Sequence, residues 1–271
     1  MVLKKSDPPS TDNRRSIQSI ETGFPLLFTL VQAGVPLTLR DLASRAGMTS
    51  AKAHPYLVSF TRVGLVQQDS ETGHYELGPF ALQMGITSLQ RQDPIRIALP
   101  FVKQLATELG HTLAVAVLGS HGPTMVHISQ ASYPVHVNMR NGTVMSMLHT
   151  ATGQVFAAWL PAGVAQHYIQ REIGDRSVVT SLQPEPPEPQ ALQALLEKIR
   201  RNGMAQALGN PLPGIDAVSV PVFDHSGNIA LALTSLGPST LFDAAEHGTI
   251  ALLLKKTAAE ISRQLGFRPA S

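Results

Sequence analysis

The chain has 271 residues, of which 43% are hydrophobic and 5% aromatic, so it is long enough for two domains with buried cores. It contains no cysteine, which excludes disulfide bridges, thiol catalysis and thiolate zinc sites, and it has no apolar run long enough to span a bilayer, so we expect no membrane partner and a cytoplasmic location. The formal net charge of +2 is too small to indicate a nucleic-acid partner by itself.

The first segment, residues 1–15, is predicted to be a disordered arm, because it is polar and contains several prolines. Arg14 and Arg15 at its end are candidate contacts to phosphate groups. From residue 16 the pattern changes, and Ile17, Ile20 and Phe24 begin an apolar series at helical spacing. This series predicts the first helix of a domain that spans residues 16–78.

The next stretch predicts two short helices joined by a tight turn. Thr38, with Asp41 three residues later, is typical of a helix N-cap, and Gly47 ends that helix. Thr49 or Ser50 then caps a second helix. Since the apolar positions of both helices recur at steps of three and four, we expect the helices to pack as a corner. The outer face of the second helix is then exposed.

Two short strands, Leu65 to Gln68 and His74 to Leu77, follow with turn residues between them, and they predict a wing. A winged helix-turn-helix places its second helix in the major groove, so we interpret residues 16–78 as a domain that binds double-stranded DNA. A purely structural corner or a protein-interaction module is the alternative that spacing leaves open. The candidate DNA contacts are Arg14, Arg15, Thr38, Arg40, Thr49, Ser50, Ala51, Lys52, His54, Tyr56, Arg62 and His74.

A linker helix is predicted over residues 79–92, and its apolar residues are numerous enough to pack against a second copy of the chain. A second domain follows over residues 93–271. Its predicted helices are Ile95 to Leu109, Gly153 to Leu160, Val164 to Glu172, Pro189 to Asn202 and Phe242 to Leu265. Its predicted strands are Thr112 to Leu118, Pro123 to Ala131, Asp216 to Phe223 and Ile229 to Leu236, and Val135 to Met139 is a candidate for a further strand. This order predicts an α+β fold with a central antiparallel sheet and flanking helices.

No catalytic motif stands out in either domain. The histidines are scattered without metal-ligand spacing, and no glycine-rich phosphate loop or nucleophile elbow is present. We therefore expect no catalytic residues, metal or cofactor. The most suggestive stretch is Leu148 to Gln154, because small and hydroxylated residues at a helix N-terminus leave backbone donors free for a ligand. Ordinary capping by Thr150 or Thr152 explains the same pattern.

Several motifs, taken in order, resemble the IclR family of bacterial transcriptional regulators. They are Ser16 to Glu21, the helix from Leu37 to Gly47, the segment from Leu57 to Val66, the wing exit Tyr75 to Gly78, Leu148-His149-Thr150, and Val220 to Asp224 followed by Gly227. The resemblance implies a winged-helix regulator that works as a dimer or a dimer of dimers. It also implies a GAF-like C-terminal domain that binds a small effector, often an organic acid or an aromatic compound.

The resemblance further implies an effector pocket between the sheet and the helix after the His-Thr-Ala motif. Its expected lining is Leu148, His149, Thr150, Ala151, Thr152, Gly153, Asp216, Val218, Val220, Thr234 and Leu236.

The chain departs from the family pattern at the second helix of the corner, where Pro55 replaces a residue expected to contact DNA and threatens the helix. Gln154 stands where a Lys is usual, and Gly209 to Gly214 replace an acidic segment. These departures keep a second interpretation open, a small-molecule sensor or interaction protein that has lost DNA recognition. A small-molecule enzyme in the second domain is a third.

Overall fold

The computed structural model describes residues 17–130, 139–174 and 185–269. The chain divides into two compact units between Arg91 and Gln92. The predicted arm, with Arg14 and Arg15, lies outside the described residues. Among the described residues, no helix is both long and apolar enough to cross a bilayer.

The first unit is a helical corner followed by a two-stranded ribbon. Its elements are α1 (Gln18–Ala33), α2 (Leu39–Arg45), α3 (Ser50–Arg62), β1 (Val66–Gln68), β2 (Tyr75–Leu77) and α4 (Pro79–Gln90). The core forms where the apolar sides of α1, α2 and α3 meet, with Leu26, Leu42 and Leu57 completely buried. Each helix therefore contributes one apolar stripe and leaves its other side to solvent.

Caps and a left-handed glycine define the corner. Thr38 Oγ1 accepts a hydrogen bond from the Asp41 N–H at 3.1 Å, and Thr49 Oγ1 accepts one from the Lys52 N–H at 3.3 Å. Gly47, with φ of +72°, reverses the chain between the two helices in a conformation that favours glycine. Helix α3 continues through Pro55, so the expected threat to the helix is not realised.

The ribbon is an antiparallel pair with Gln68 opposite Tyr75. Its turn is held by Asp69, whose carboxylate accepts the Thr72 N–H at 2.7 Å, the Thr72 hydroxyl at 2.9 Å and the Glu71 N–H at 3.0 Å. These bonds, the Thr72 N–H first, hold the pKa of Asp69 below its usual 3.8. The predicted wing is thus a structured turn on two short strands.

The second unit contains an antiparallel sheet of five strands, among the described residues, in the order β4-β3-β7-β6-β5. Its strands are β3 (Thr112–Gly119), β4 (Gly122–Ser129), β5 (Ala205–Leu208), β6 (Ile215–Phe223) and β7 (Ile229–Pro238); its helices are α5 (Pro94–Leu109), α6 (Ala151–Trp159), α7 (Ala162–Gly174), α8 (Pro189–Asn202) and α9 (Thr249–Gln264). Helices α5 and α9 form a core with one face of the sheet, whereas α6, α7 and α8 form a second core with the other face. The predicted α+β class is confirmed.

Two elements differ from the prediction, and the candidate strand from Val135 lies outside the described residues except for Met139. Strand β5 was not predicted, because Ala205–Leu208 reads AQAL, which lacks the β-branched and aromatic residues that mark a strand. The closing helix begins at Thr249 and not at Phe242. Phe242 and Ala244 are buried in a non-helical segment that precedes it, so their apolar character reflects packing and not helical periodicity.

Candidate functional site

A cavity of about 160 Å³ lies between the N-terminus of α6 and the sheet of the second unit. Helix α6 contributes its first residues, and the strands contribute alternate positions of one face. Its lining residues are Met125, Met139, Thr143, Met145, Thr150, Ala151, Thr152, Ala207, Leu212, Ile215, Ala217, Thr234 and Leu236. This described lining is apolar or hydroxylated and contains no charged side chain.

The start of α6 is packed tightly onto the segment before it. Thr150 caps the helix, accepting the Gly153 N–H at 3.0 Å and donating to the Ser146 carbonyl at 2.6 Å. A Cβ atom built on Gly153 would lie only 1.8 Å from that Ser146 oxygen. Only glycine fits there, so this close approach sets where the N-terminus of α6 meets the cavity.

Helix α7 holds the same segment from its other side. The Glu172 carboxylate accepts the Met147 N–H at 2.7 Å and the Ser146 hydroxyl. The Ser146 Oγ in turn accepts the N–H groups of Leu148 and His149 at 3.2 and 2.9 Å. One carboxylate therefore anchors the turn that leads into α6.

Hydroxyl groups link α6 to the sheet beside the cavity. Thr152 Oγ1 lies 2.8 Å from Thr234 Oγ1 on β7, and Thr234 donates to Ser219 Oγ on β6 at 2.9 Å. Ser219 donates to the Leu233 carbonyl at 3.3 Å. We call this chain of bonds the hydroxyl relay. It is buried throughout.

The structure brings part of the predicted effector site together. Thr150, Ala151, Thr152, Thr234 and Leu236 all line the cavity. Leu148, His149 and Gly153 are buried next to it and shape the entry into α6, but they are not part of the lining.

The residues predicted on β6 lie on the wrong face. Val218 and Val220 pack into the core with α5 and α9. Asp216 accepts the Gly209 N–H at 2.8 Å and the Ser239 hydroxyl at 2.7 Å outside the cavity lining. The prediction of Asp216, Val218 and Val220 as pocket residues is therefore wrong by one residue.

A β-bulge determines which residues of β6 face the cavity. Near the turn Phe223 pairs with Ile229, and that register, if continued, would set Val218 opposite Thr234. The register shifts between Val222 and Phe223, so Ser219 lies opposite Thr234 instead. A shift of one residue reverses every side chain of the strand. Ile215 and Ala217 consequently line the cavity.

Sequence reasoning also missed the cavity wall outside α6 and β7. The missed residues are Met125, Met139, Thr143, Met145, Ala207 and Leu212. Nothing in the sequence marks Met145 by itself as a cavity residue. Its position just before the Leu148-His149-Thr150 motif could have suggested that it lines the cavity. The others come from strands and loops that are distant in sequence.

The first unit presents most predicted DNA contacts to solvent. Arg40, Thr49, Ala51, Lys52, His54 and Arg62 are exposed, whereas Thr38, Ser50, Tyr56 and His74 are half-buried. The Tyr56 ring packs against α1, since a Cβ on Gly23 would lie 2.7 Å from it. This contact favours a packing role for Tyr56 over the predicted DNA contact.

Comparison with known proteins identifies the family. The model of the IclR helix-turn-helix domain matches residues 19–70, and the model of the C-terminal domain of the bacterial transcriptional regulator IclR matches residues 86–263. The chain belongs to the IclR family of bacterial transcriptional regulators. The predicted resemblance is therefore confirmed.

Individual IclR-family relatives agree with this membership. The glycerol operon regulatory protein of Streptomyces griseus is 28% identical over 93% of this chain and 98% of its own. The crystal structure of Pseudomonas aeruginosa HmgR is 34% identical, covers 94% of this chain and 100% of its own, and gives a TM-score of 0.85. An IclR homolog of Microbacterium hydrocarbonoxydans, solved in complex with 4-hydroxybenzoate, is 20% identical over 91% of this chain and 98% of its own, with a TM-score of 0.54.

The relatives are transcriptional regulators and repressors, so this IclR-family chain is a transcriptional regulator and not an enzyme. It combines a DNA-binding helix-turn-helix domain with an effector-binding domain. In the described part of the chain, no group of three or more His, Asp or Glu residues is arranged to hold a metal ion.

Proposed function

We propose that this IclR-family regulator acts in the cytoplasm, binds a pseudo-palindromic operator as a dimer or a dimer of dimers, and changes its operator affinity when a small organic acid or aromatic compound occupies the cavity. The observation that carries the effector site is the apolar cavity of about 160 Å³ at the N-terminus of α6. An apolar cavity of roughly 150 Å³ admits one benzene ring. A compound with a single aromatic ring is therefore the best fit in size.

The DNA-binding half of the proposal rests on α3. Its exposed tip, Ser50 to His54, would lie in the major groove, where Lys52 would hold a phosphate and its neighbours would read base edges. Arg40 and Arg62, with Arg14 and Arg15 of the arm, would hold further phosphates. The wing near His74 would reach the adjacent backbone. Two heads related by a dimer axis require two half-sites, which gives the operator its symmetry. The continuity of α3 through Pro55 supports this function over a sensor that has lost DNA recognition.

Effector control requires different affinities for two arrangements of the protein. A ligand shifts an equilibrium only as far as its affinities for the two states differ. Effector in the cavity would therefore favour either the DNA-competent or the incompetent arrangement of the two heads.

The test is an anisotropy titration of the full chain with labelled DNA from upstream of its own gene. Lys52→Ala should weaken binding and reduce the salt slope by about one, if Lys52 contacts a phosphate. Lys198→Ala, which removes an exposed lysine from α8, is the matched control and should change neither quantity. A chain that binds benzoate or 4-hydroxybenzoate but no such DNA would support the sensor without DNA recognition.

A further inference from the structure

The hydroxyl relay has a fixed direction, because it ends on a carbonyl. The Leu233 carbonyl oxygen can only accept, so the Ser219 proton is directed to it. Thr234 donates to Ser219, and Thr152 must then donate to Thr234. Each hydroxyl in the relay therefore already donates its one hydrogen bond to another protein atom.

This direction decides what the relay offers a ligand. Thr152 and Thr234 both line the cavity, at 1% and 3% exposure, and with their protons committed they can present only lone pairs. Thr150 is committed in the same way, since it donates to the Ser146 carbonyl. The hydroxyls of Thr150 and Thr152 on α6 and of Thr234 on β7 therefore offer a ligand only hydrogen-bond acceptors.

The donors on the cavity wall are backbone N–H groups and one further hydroxyl. The first N–H groups of a helix have no partner within the helix, and those of Ala151 and Thr152 have no acceptor among the described residues. The Thr143 hydroxyl accepts the Arg140 N–H at 3.0 Å, and its own proton has no acceptor within the same described ranges. The remaining wall is largely apolar and includes the thioethers of Met125, Met139 and Met145, which suit the faces and edges of an aromatic ring.

Resting on the function proposed above, we propose that the effector is a hydroxylated single-ring aromatic compound whose O–H donates to the hydroxyl relay at Thr152 and Thr234. Its acceptor group lies toward the free N–H groups of α6. The relay thereby selects for a hydroxyl substituent and against the same ring without a donor.

The first test compares ligands on the unaltered full chain by isothermal titration calorimetry. The probes are benzoate, the three hydroxybenzoates and the three fluorobenzoates, because fluorine is small and cannot donate. One net hydrogen bond changes affinity by up to about tenfold. At least one hydroxybenzoate should therefore bind about tenfold more tightly than benzoate and than the fluorobenzoate of the same substitution pattern.

The second test removes the anchor of the relay. In Ser219→Ala, Thr234 loses its acceptor and its hydroxyl is free to turn, so the preference for hydroxyl over fluorine should fall toward one. Ser235→Ala is the matched control, since Ser235 is a buried hydroxyl on the opposite face of β7 with no hydrogen-bond partner among the described residues. That control should keep the full preference.

The outcomes separate the two proposals. Equal affinity for hydroxy- and fluorobenzoates, binding of none of these probes, or an unchanged preference in Ser219→Ala would overturn the relay as the selecting element. The ligand comparison needs no variant, so it decides even if Ser219→Ala fails to fold. Hydroxyl-selective binding without any change in operator affinity would instead overturn the proposed function and leave the relay standing.

Discussion

Gly153 shows how one residue sets the geometry of the whole cavity. It allows the first turn of α6 to lie against the Ser146 carbonyl, at a distance that no Cβ atom tolerates. Thr150 and Thr152, which both precede it in the chain, then line the cavity. The absence of a side chain at residue 153, and not a functional group, therefore sets the geometry of the cavity at this point.

Gly153→Ala should destabilise the second unit by more than about 3 kcal/mol, because the colliding atoms are backbone and cannot move aside cheaply. Gly163→Ala on α7, where a Cβ meets nothing within 4 Å, should instead stabilise by up to about 1 kcal/mol. Urea denaturation of both variants checks the pair. Similar effects from the two alanines would show that the close approach is not what requires glycine.

His111 gives the second unit a dependence on pH. Its ring packs edge-on against Phe242 at a centroid distance of 5.0 Å, and burial lowers the pKa of His111 below its usual 6.5. The unfolded chain therefore takes up a proton at a higher pH than the folded chain does. The contribution of neutral His111 to the free energy of unfolding is therefore fully present above about pH 6.5. It is lost as the pH falls toward the pKa that His111 has in the folded chain.

His111→Gln, which removes the titrating ring, should thus reduce the loss of stability between about pH 7.5 and pH 5.5. The measurement is the urea midpoint of both proteins across this range. A variant that loses as much stability as the parent would assign the acid sensitivity to other groups.

Among the described elements, α7 connects the start of α6 to the far end of the β3–β4 hairpin. The Tyr168 hydroxyl donates to the Gly119 carbonyl at 3.0 Å, and Arg171 donates to the Ser120 carbonyl at 3.1 Å, so the helix is fixed to the β3–β4 turn. Glu172, directly after Arg171, holds Ser146 and Met147. Helix α7 therefore positions the start of α6 relative to the sheet.

Glu172→Gln should lower stability by about 1–3 kcal/mol, because one amide oxygen replaces a charged acceptor of two hydrogen bonds. It should also weaken effector binding, since the start of α6 loses its anchor. Glu197→Gln on the exposed side of α8 is the control, because among the described residues its carboxylate accepts a single hydrogen bond, an exposed one from Gln193. Loss of stability with unchanged ligand affinity would limit Glu172 to a structural role.

Helices and caps could be predicted from the sequence, because their signals are local. The corner between α2 and α3 could be predicted from its two N-caps and its turn glycine, Thr38, Thr49 and Gly47. Helix α8 was predicted with its observed bounds, Pro189–Asn202. The face of β6 could not be predicted in the same way. Residues Val218 to Val222 are buried on both sides, so no alternation reveals the phase, and the bulge that shifts it depends on pairing with β7.

At the scale of the whole molecule, the exposed apolar side of α4 is the surface that the proposed dimer would use. No residue of α4 is buried, and Leu82, Ile86 and Leu89 are 66%, 46% and 41% exposed at spacings of four and three. Exposed apolar side chains that lie together on one helix face are typical of a protein–protein contact surface. The proposed symmetric operator also requires two heads, so both arguments point to a dimer in which α4 takes part.

Changing Leu82 and Ile86 together to Glu should therefore break that dimer. Burying each side chain is worth about 1.5–3 kcal/mol, so losing two should raise the dissociation constant at least about a hundredfold. Sedimentation velocity measures this directly. Because a monomer engages only one half-site, operator affinity should fall as well, since the second head no longer binds at high effective concentration.

The double change of Gln83 and Thr87 to Glu adds the same charge at adjacent positions of α4 and should preserve both assembly and DNA binding. If the Leu82 and Ile86 variant stays dimeric, a surface other than α4 joins the two copies. The symmetry of the proposed operator would then follow from that other surface.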